Sequence, residues 1–300
     1  MMRRMGAGHT IIPGFTAERV AGVDATINLA RAGDGPPLLL LHGYPQTHSM
    51  WHPVAPRLAE HFHVVAADLR GYGDSSKPPG DESHERYAKR TMARDMVQVM
   101  EALGFDRFFV AGHDRGGRVG HRMALDHPER VSRLAVLDIV PTRTLLMSTG
   151  RAFANSYYHW FFLSQKPDLP ETLIGASASY FLRTTIERWS ATPGAITPEA
   201  MAEYERCFDA AGIHASCEDY RAATTIDLEH DEADIDRMVE CPVLVLWGEK
   251  GRMHALYDVP ATWRERARDV RSRLLPCAHF VVEESPDETA AELLAFFSEG

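Results

Sequence analysis

Short apolar runs alternate with amphipathic stretches along the first half of the chain. Pro37–Leu41 is a proline followed by four leucines, the length of a buried strand. His63–Ala67 repeats that signal. Residues 107–111 and 134–137 supply two further strand candidates. Between them, residues 54–60, 91–103 and 117–126 carry helical spacing of apolar positions. Strand and helix at this interval predict right-handed crossovers and a mostly parallel sheet.

From about residue 141 to 236 the strand signal stops. Aromatics and helix formers dominate, punctuated by Pro167, Pro170, Pro193 and Pro198. Alternation resumes with strands at 243–247 and 272–275 and helices at 262–268 and 287–297. A stretch of this length is too long for a plain loop. The pattern therefore predicts one α/β core, residues 1–140 and 237–300, interrupted by a helical cap at 141–236.

Composition narrows the function classes. The 300 residues are 45% apolar and 25% charged, and roughly 75% of the unfolded surface of such a chain is buried on folding. Asp and Glu number 42 against 32 Lys and Arg, a net charge of −10. That excess disfavours nonspecific binding to nucleic acid or membranes, and mildly disfavours an anionic small molecule. Cys207, Cys217, Cys241 and Cys277 show no metal-ligand spacing, so reduced thiols in a cytoplasmic protein are expected. The basic start, Met1-Met2-Arg3-Arg4-Met5, runs straight into Gly6, Gly8, His9 and Thr10, which argues against a signal peptide. No apolar run reaches membrane-span length.

The candidate chemistry centres on Gly112-His113-Asp114-Arg115-Gly116, placed between a strand and a helix. Glycines flanking one chemical residue in strand–turn–helix context form a nucleophile elbow. Here the central residue is Asp114 rather than serine. A carboxylate is already ionised at neutral pH and suits displacement at an sp³ carbon, leaving an ester on the enzyme. Water must then hydrolyse that ester, which requires a base. His279, after the last strand candidate, fits that role, and Asp138, at the end of the 134–137 strand, fits the orienting acid. The order Asp114, Asp138, His279 is the nucleophile–acid–base order of this elbow fold. Glu249 and Asp258 are weaker acid candidates; many α/β-hydrolases, which this order resembles, carry the acid at the position of Gly251. A strand-end Asp can also serve only as a helix cap.

Arg115 and Arg118 lie three apart at a helix start and can share one face, where arginine forks bind carboxylates. The ordinary fate of a helical arginine is instead surface solvation or a salt bridge.

These residues resemble the α/β-hydrolase superfamily, and within it the fluoroacetate (haloacetate) dehalogenases. The resemblance rests on His42-Gly43-Tyr44-Pro45-Gln46-Thr47-His48, the 112–118 segment G-H-D-R-G-G-R, Tyr158-His159-Trp160-Phe161-Phe162 and Glu218-Asp219-Tyr220-Arg221. It implies Asp114 as nucleophile, His279 as base and Asp138 as orienting acid. It implies Arg115 and Arg118 on the substrate carboxylate, and His159, Trp160 and Tyr220 as donors to the departing halide. The backbone N–H groups of Tyr44 and Arg115 would form an oxyanion hole, and Trp189 would line the entrance. Tyr44 stands where phenylalanine is common in these relatives. The implied substrate is a small anionic 2-haloacid, with no cofactor and no metal, in a homodimer.

Two other readings compete. An epoxide hydrolase shares the Asp nucleophile and uses cap tyrosines, for which Tyr157, Tyr158, Tyr180, Tyr204 and Tyr220 are available. Such relatives usually carry tryptophan just after the nucleophile, where this chain has Arg115. The third reading is a hydrolase-fold ligand receptor without turnover, which can retain a triad.

Overall fold

The computed structural model describes residues 7–299. The basic start at Met1-Met2-Arg3-Arg4-Met5 lies outside the described residues. Eight strands form one sheet: β1 Thr16–Ala21, β2 Thr26–Ala32, β3 Pro37–Leu41, β4 His63–Ala67, β5 Phe108–His113, β6 Val131–Leu137, β7 Val243–Gly248 and β8 Val270–Leu275. Their spatial order is β1-β2-β4-β3-β5-β6-β7-β8. From β4 to β8 every pairing is parallel, as the alternation predicts. Leu38, Leu39, Leu40 and Leu41 are fully buried, which is why this run reads as apolar without alternation.

The two N-terminal strands were not evident in the hydrophobic pattern. β1 pairs antiparallel with β2, and β2 antiparallel with β4. As an edge strand, β1 has only Glu18 and Val20 buried, so its six residues carry little apolar signal.

Helices lie where periodicity places them, with shifted ends. The 54–60 prediction shrinks to Ala55–Leu58, 91–103 becomes Lys89–Ala102, and 262–268 moves to Val259–Arg264. The helix Arg115–Asp126 packs on β5, β6 and the Lys89–Ala102 helix.

Between β6 and β7 the described residues form helices and no strand. Two of the four prolines mark starts: Pro170 lies in the first turn of Leu169–Gly175, and Pro198 opens Pro198–Cys207. Asp209 caps Ala210–Thr224 by accepting from Gly212 N at 2.8 Å. The cysteines carry no disulfide. Among the described residues, no helix is long and apolar enough to cross a membrane.

Candidate active site

Asp114 sits on the sharp turn between β5 and the helix Arg115–Asp126, with φ 45° and ψ −112°. A non-glycine residue in this region is strained, and strain of this kind persists only where surrounding structure imposes it. Here the glycines impose it by letting the backbone close up. A Cβ on Gly112 would lie 2.4 Å from Gly116 O, and one on Gly43 would lie 2.5 Å from Asp114 Cβ. The loop after β3 is tied to the elbow: Gly116 N donates to His42 O at 2.8 Å, and Tyr44 N donates to Asp114 Oδ1 at 3.0 Å. Arg115 N opens a helix, where the first N–H groups lack intrahelical partners.

His279 follows β8. Its Nδ1 lies 2.7 Å from Asp138 Oδ2, at the end of β6, while Gly248 N donates to Asp138 Oδ1 at 3.3 Å. His279 O lies 2.8 Å from His113 Nε2, which fixes the backbone of the loop. His279 Nε2 is buried without a protein partner. Asp138 also adopts positive φ, 50°. Glu249 and Asp258 are not bonded to His279: Glu249 is exposed, and Asp258 caps its own helix through Ala261 N at 3.1 Å. A Cβ on Gly251 would lie 3.3 Å from Asp138 Oδ1, so the β6 and β7 positions for an acid converge on one point.

Electrostatics separate the roles. Burial would raise the Asp114 pKa, but the charges of His279, Arg115 and Arg118 override it and hold it at about 2. Burial lowers the His279 pKa, but the bond and charge of Asp138, with the charge of Asp114, bring it above its ordinary value. Burial takes His113 and His159 down to about 3, so both are neutral.

The two arginines differ. Arg115 is fully buried and engaged by Asp219: Nε donates to Oδ2 at 2.8 Å, and Nη2 to Oδ1 at 2.7 Å and to the backbone O at 2.9 Å. Lys89 and Tyr72 bond the same carboxylate. Only Arg115 Nη1 is left without a partner. Arg118 is also buried, yet no carboxylate lies within ion-pair distance of it among the described residues. Its Nη1 donates to Val140 O and Thr142 Oγ1, both at 3.0 Å, and its Nε has no partner. Burial depresses its pKa, partly offset by Asp114. The salt-bridge reading of a helical arginine thus applies to Arg115 and not to Arg118.

Aromatic rings enclose this pair. The Arg115 guanidinium lies 4.2 Å from the Tyr220 ring centroid, and that of Arg118 lies 4.9 Å from Trp160. Tyr220 meets Trp160 at 5.3 Å, Tyr44 at 5.4 Å and His159 at 5.6 Å. Trp189 meets His159 at 4.5 Å and His279 at 5.3 Å. No hydrogen bond within the described residues occupies Trp160 Nε1 or the Tyr220 hydroxyl, and the Tyr44 hydroxyl is buried without a partner.

A cavity of about 180 Å³ reaches this layer, bounded by Asp114, His159, Trp189 and His279. Asp114, Asp138, His279, Arg115, Arg118, Tyr44, His159, Trp160, Trp189 and Tyr220 thus fall in one connected cluster, whereas Glu249 and Asp258 do not join it. Sequence reasoning assigned no role to Asp219, although it adjoins Tyr220, and left unnoticed the basic wall of Arg188, Lys250 and Arg252 around the cavity mouth. Of the tyrosines available to the epoxide reading, Tyr157 lines the cavity, Tyr158 and Tyr180 are exposed, and Tyr204 bonds Glu283 at 2.8 Å. One cluster with metal-ligand geometry, Asp74 with Glu203 and Cys207, is already spanned by Arg206, which pairs with both carboxylates.

The α/β hydrolase fold family model matches residues 36–286. A fluoroacetate dehalogenase from Burkholderia sp. is 48% identical over 95% of this chain and 95% of its own. A soluble epoxide hydrolase from Corynebacterium sp. (strain C12) is 37% identical over 89% of this chain and 92% of its own. The crystal structure of ALR0039 from Nostoc sp. PCC 7120, provisionally described as an α/β-hydrolase, is 57% identical with a TM-score of 0.96, covering 97% of this chain and 100% of that one. With the elbow, the buried histidine–aspartate pair and the arginine–aromatic cluster gathered at the C-terminal ends of the parallel strands, the chain belongs to the α/β-hydrolases and, among them, to the fluoroacetate dehalogenase family.

Proposed function

We propose that this protein hydrolyses haloacetates, converting fluoroacetate and water to glycolate, halide and a proton through an ester on Asp114. The observation that carries this reading is Arg118, a buried guanidinium close enough to Asp114 to lower its pKa yet lacking a carboxylate partner among the described residues. A buried charge without a counterion is costly, and a substrate carboxylate removes that cost. Arg115 Nη1 adds one directed donor.

In the first step an Asp114 carboxylate oxygen attacks the carbon bearing halogen, and the carbon–halogen bond breaks with its electron pair on the halide. Trp160 Nε1, the Tyr220 hydroxyl and the single N–H of neutral His159 supply donors to the developing anion. Fluoride needs several such donors because it is strongly hydrated in water. In the second step His279 Nε2 takes a proton from water, whose oxygen attacks the Asp114 ester carbonyl. Tyr44 N and Arg115 N stabilise the oxyanion; collapse breaks the ester C–O bond, one of the two water protons ends on the glycolate hydroxyl and the other passes to solvent, which restores the Asp114 carboxylate and neutral His279. Asp138 holds the tautomer that leaves Nε2 free to accept.

The test is halide release from fluoroacetate, chloroacetate and 2-halopropionates, with Asp114→Asn as control. Single turnover in ¹⁸O-water should place label in the Asp114 carboxylate. Absence of halide from every haloacid overturns the reading.

Epoxide hydrolysis draws support from one observation: Tyr157, buried and with its hydroxyl unbonded among the described residues, lines the cavity with Asp114. Diol formation from styrene oxide without dehalogenation would establish it. A receptor without turnover would leave Asp114 unmodified in a His279→Ala variant under saturating ligand.

A further inference from the structure

The mouth of the cavity is more basic than the chemistry requires. Arg188, Lys250 and Arg252 line it, and among the described residues Asp114 is the only acid in the lining. All three cations are exposed, and none has an ion pair or side-chain hydrogen bond among the described residues. This differs from Arg57, Arg130, Arg143, Arg183, Arg206 and Arg271, all paired with acids elsewhere on the surface.

The three charges come from two separate elements of the lining. Arg188 stands in the last turn of the helix Ala178–Trp189. Lys250 and Arg252 flank Gly251 on the turn after β7, which is held by Glu249 N to Leu275 O at 2.9 Å, Lys250 N to Cys277 O at 2.9 Å and Gly251 N to Gly248 O at 3.0 Å. Glu284 is bonded to the wall through Ala191 N at 2.8 Å, Ala278 N at 3.3 Å and Phe280 N at 3.0 Å, so its carboxylate is committed to backbone donors.

We propose that Arg188, Lys250 and Arg252 form an outer capture site for small carboxylate anions, which draws the haloacid into the cavity before Arg118 takes its carboxylate. This rests on the haloacid reading for the identity of the anion. The physical need is plain. A chain of net charge −10 repels anions at long range. Salt limits that repulsion to about 8 Å, so a local cluster of cations at a concave opening controls the last approach. Clefts lined by one sign of charge raise the local concentration of the opposite ion and its on-rate by about 10- to 1,000-fold.

The variant that tests this is Arg188→Gln/Lys250→Gln/Arg252→Gln, whose three positions are solvent-exposed and unpaired. For the wild type, kcat/KM on chloroacetate should fall steeply with added salt. For the triple variant it should start about tenfold lower at low ionic strength, show a flat salt response, and meet the wild type at high salt. Identical salt slopes in the two proteins overturn the proposal.

A second measurement needs no turnover. Trp51, Trp160, Trp247 and Trp263 are buried, which leaves Trp189 on the cavity wall as the tryptophan open to collisional quenchers. Iodide should quench wild-type tryptophan emission several-fold more strongly than it quenches the triple variant, while neutral acrylamide should quench both equally. Equal iodide constants overturn the capture site. If the wild type releases no halide but the iodide contrast holds, the haloacid reading fails and the anion site stands.

Discussion

His279 Nδ1 and Asp138 Oδ2 lie 2.7 Å apart although 141 positions separate the two residues in the chain. Parallel pairing of β6 with β7 and of β7 with β8 brings their strand ends together. Asp138→Asn should therefore leave ester formation intact and slow ester hydrolysis by about 10⁴-fold, as expected when the wrong imidazole tautomer is held. Because a Cβ at 251 falls beside Asp138 Oδ1, Gly251→Asp should restore part of that hydrolysis in the Asp138→Asn background. Rapid-quench mass measurement of the Asp114 ester separates the two steps. A double variant no faster than Asp138→Asn would show that the two positions do not converge functionally.

The pH profile follows from two opposite shifts. Asp114, held at about 2, stays ionised across the working range, so the acid limb belongs to His279. In the proposed mechanism His279 must be neutral to accept a proton, and its pKa is raised. kcat should thus fall as pH drops through the His279 titration of the ester form, while ester formation in single turnover persists. Esterification removes the Asp114 charge that helps raise the imidazole pKa. The acid limb of kcat should accordingly lie below the His279 titration seen by NMR in the free enzyme. A limb at the same or higher pH would contradict this coupling.

Arg115 and Arg118 should fail in different ways. Arg118→Gln removes a charge that no carboxylate pairs at ion-pair distance among the described residues, and should weaken haloacetate binding to an Asp114→Asn background by about 2–4 kcal/mol with little change in urea stability. Arg115→Gln leaves Asp219 short of its principal partner and should cost about 3 kcal/mol of stability. Equal stability losses in the two variants would refute the distinction.

Glu283 offers a test of stability. It is buried, accepts from the Tyr204 hydroxyl, is hydrogen-bonded to Gln46, and has a pKa raised by burial to about 8. Between its unfolded pKa near 4.5 and about 8 the folded state holds a proton that the unfolded state has lost. Its contribution is therefore fully present below 4.5 and disappears as pH rises through about 8. Glu283→Gln mimics the protonated form and should raise Tm above pH 8 with little effect at pH 5. Parallel Tm curves would show that Glu283 carries no such proton.

The elbow was legible because its constraint is local: Gly112 and Gly116 flank Asp114 within one turn. His279 and Asp138 were legible from their order along the chain. Asp219 was not, because its grip on Arg115 joins residues 104 positions apart on different helices, and no local pattern marks it. The β1–β2 hairpin escaped notice because an edge strand with few buried positions lacks a strong apolar alternation. Arg188, Lys250 and Arg252 each look like ordinary surface cations, and only the fold gathers them.

The cage of Tyr220, Trp160 and His159 has a consequence for the proposed chemical step. When Asp114 becomes an ester, its negative charge passes to the halide, so the enclosed volume holds the same total charge before and after. The enzyme need only favour a displacement of charge over a short path, from the elbow towards the ring edges. Donors already oriented along that path need little rearrangement, whereas bulk water would have to rebuild its shell around a newly freed fluoride.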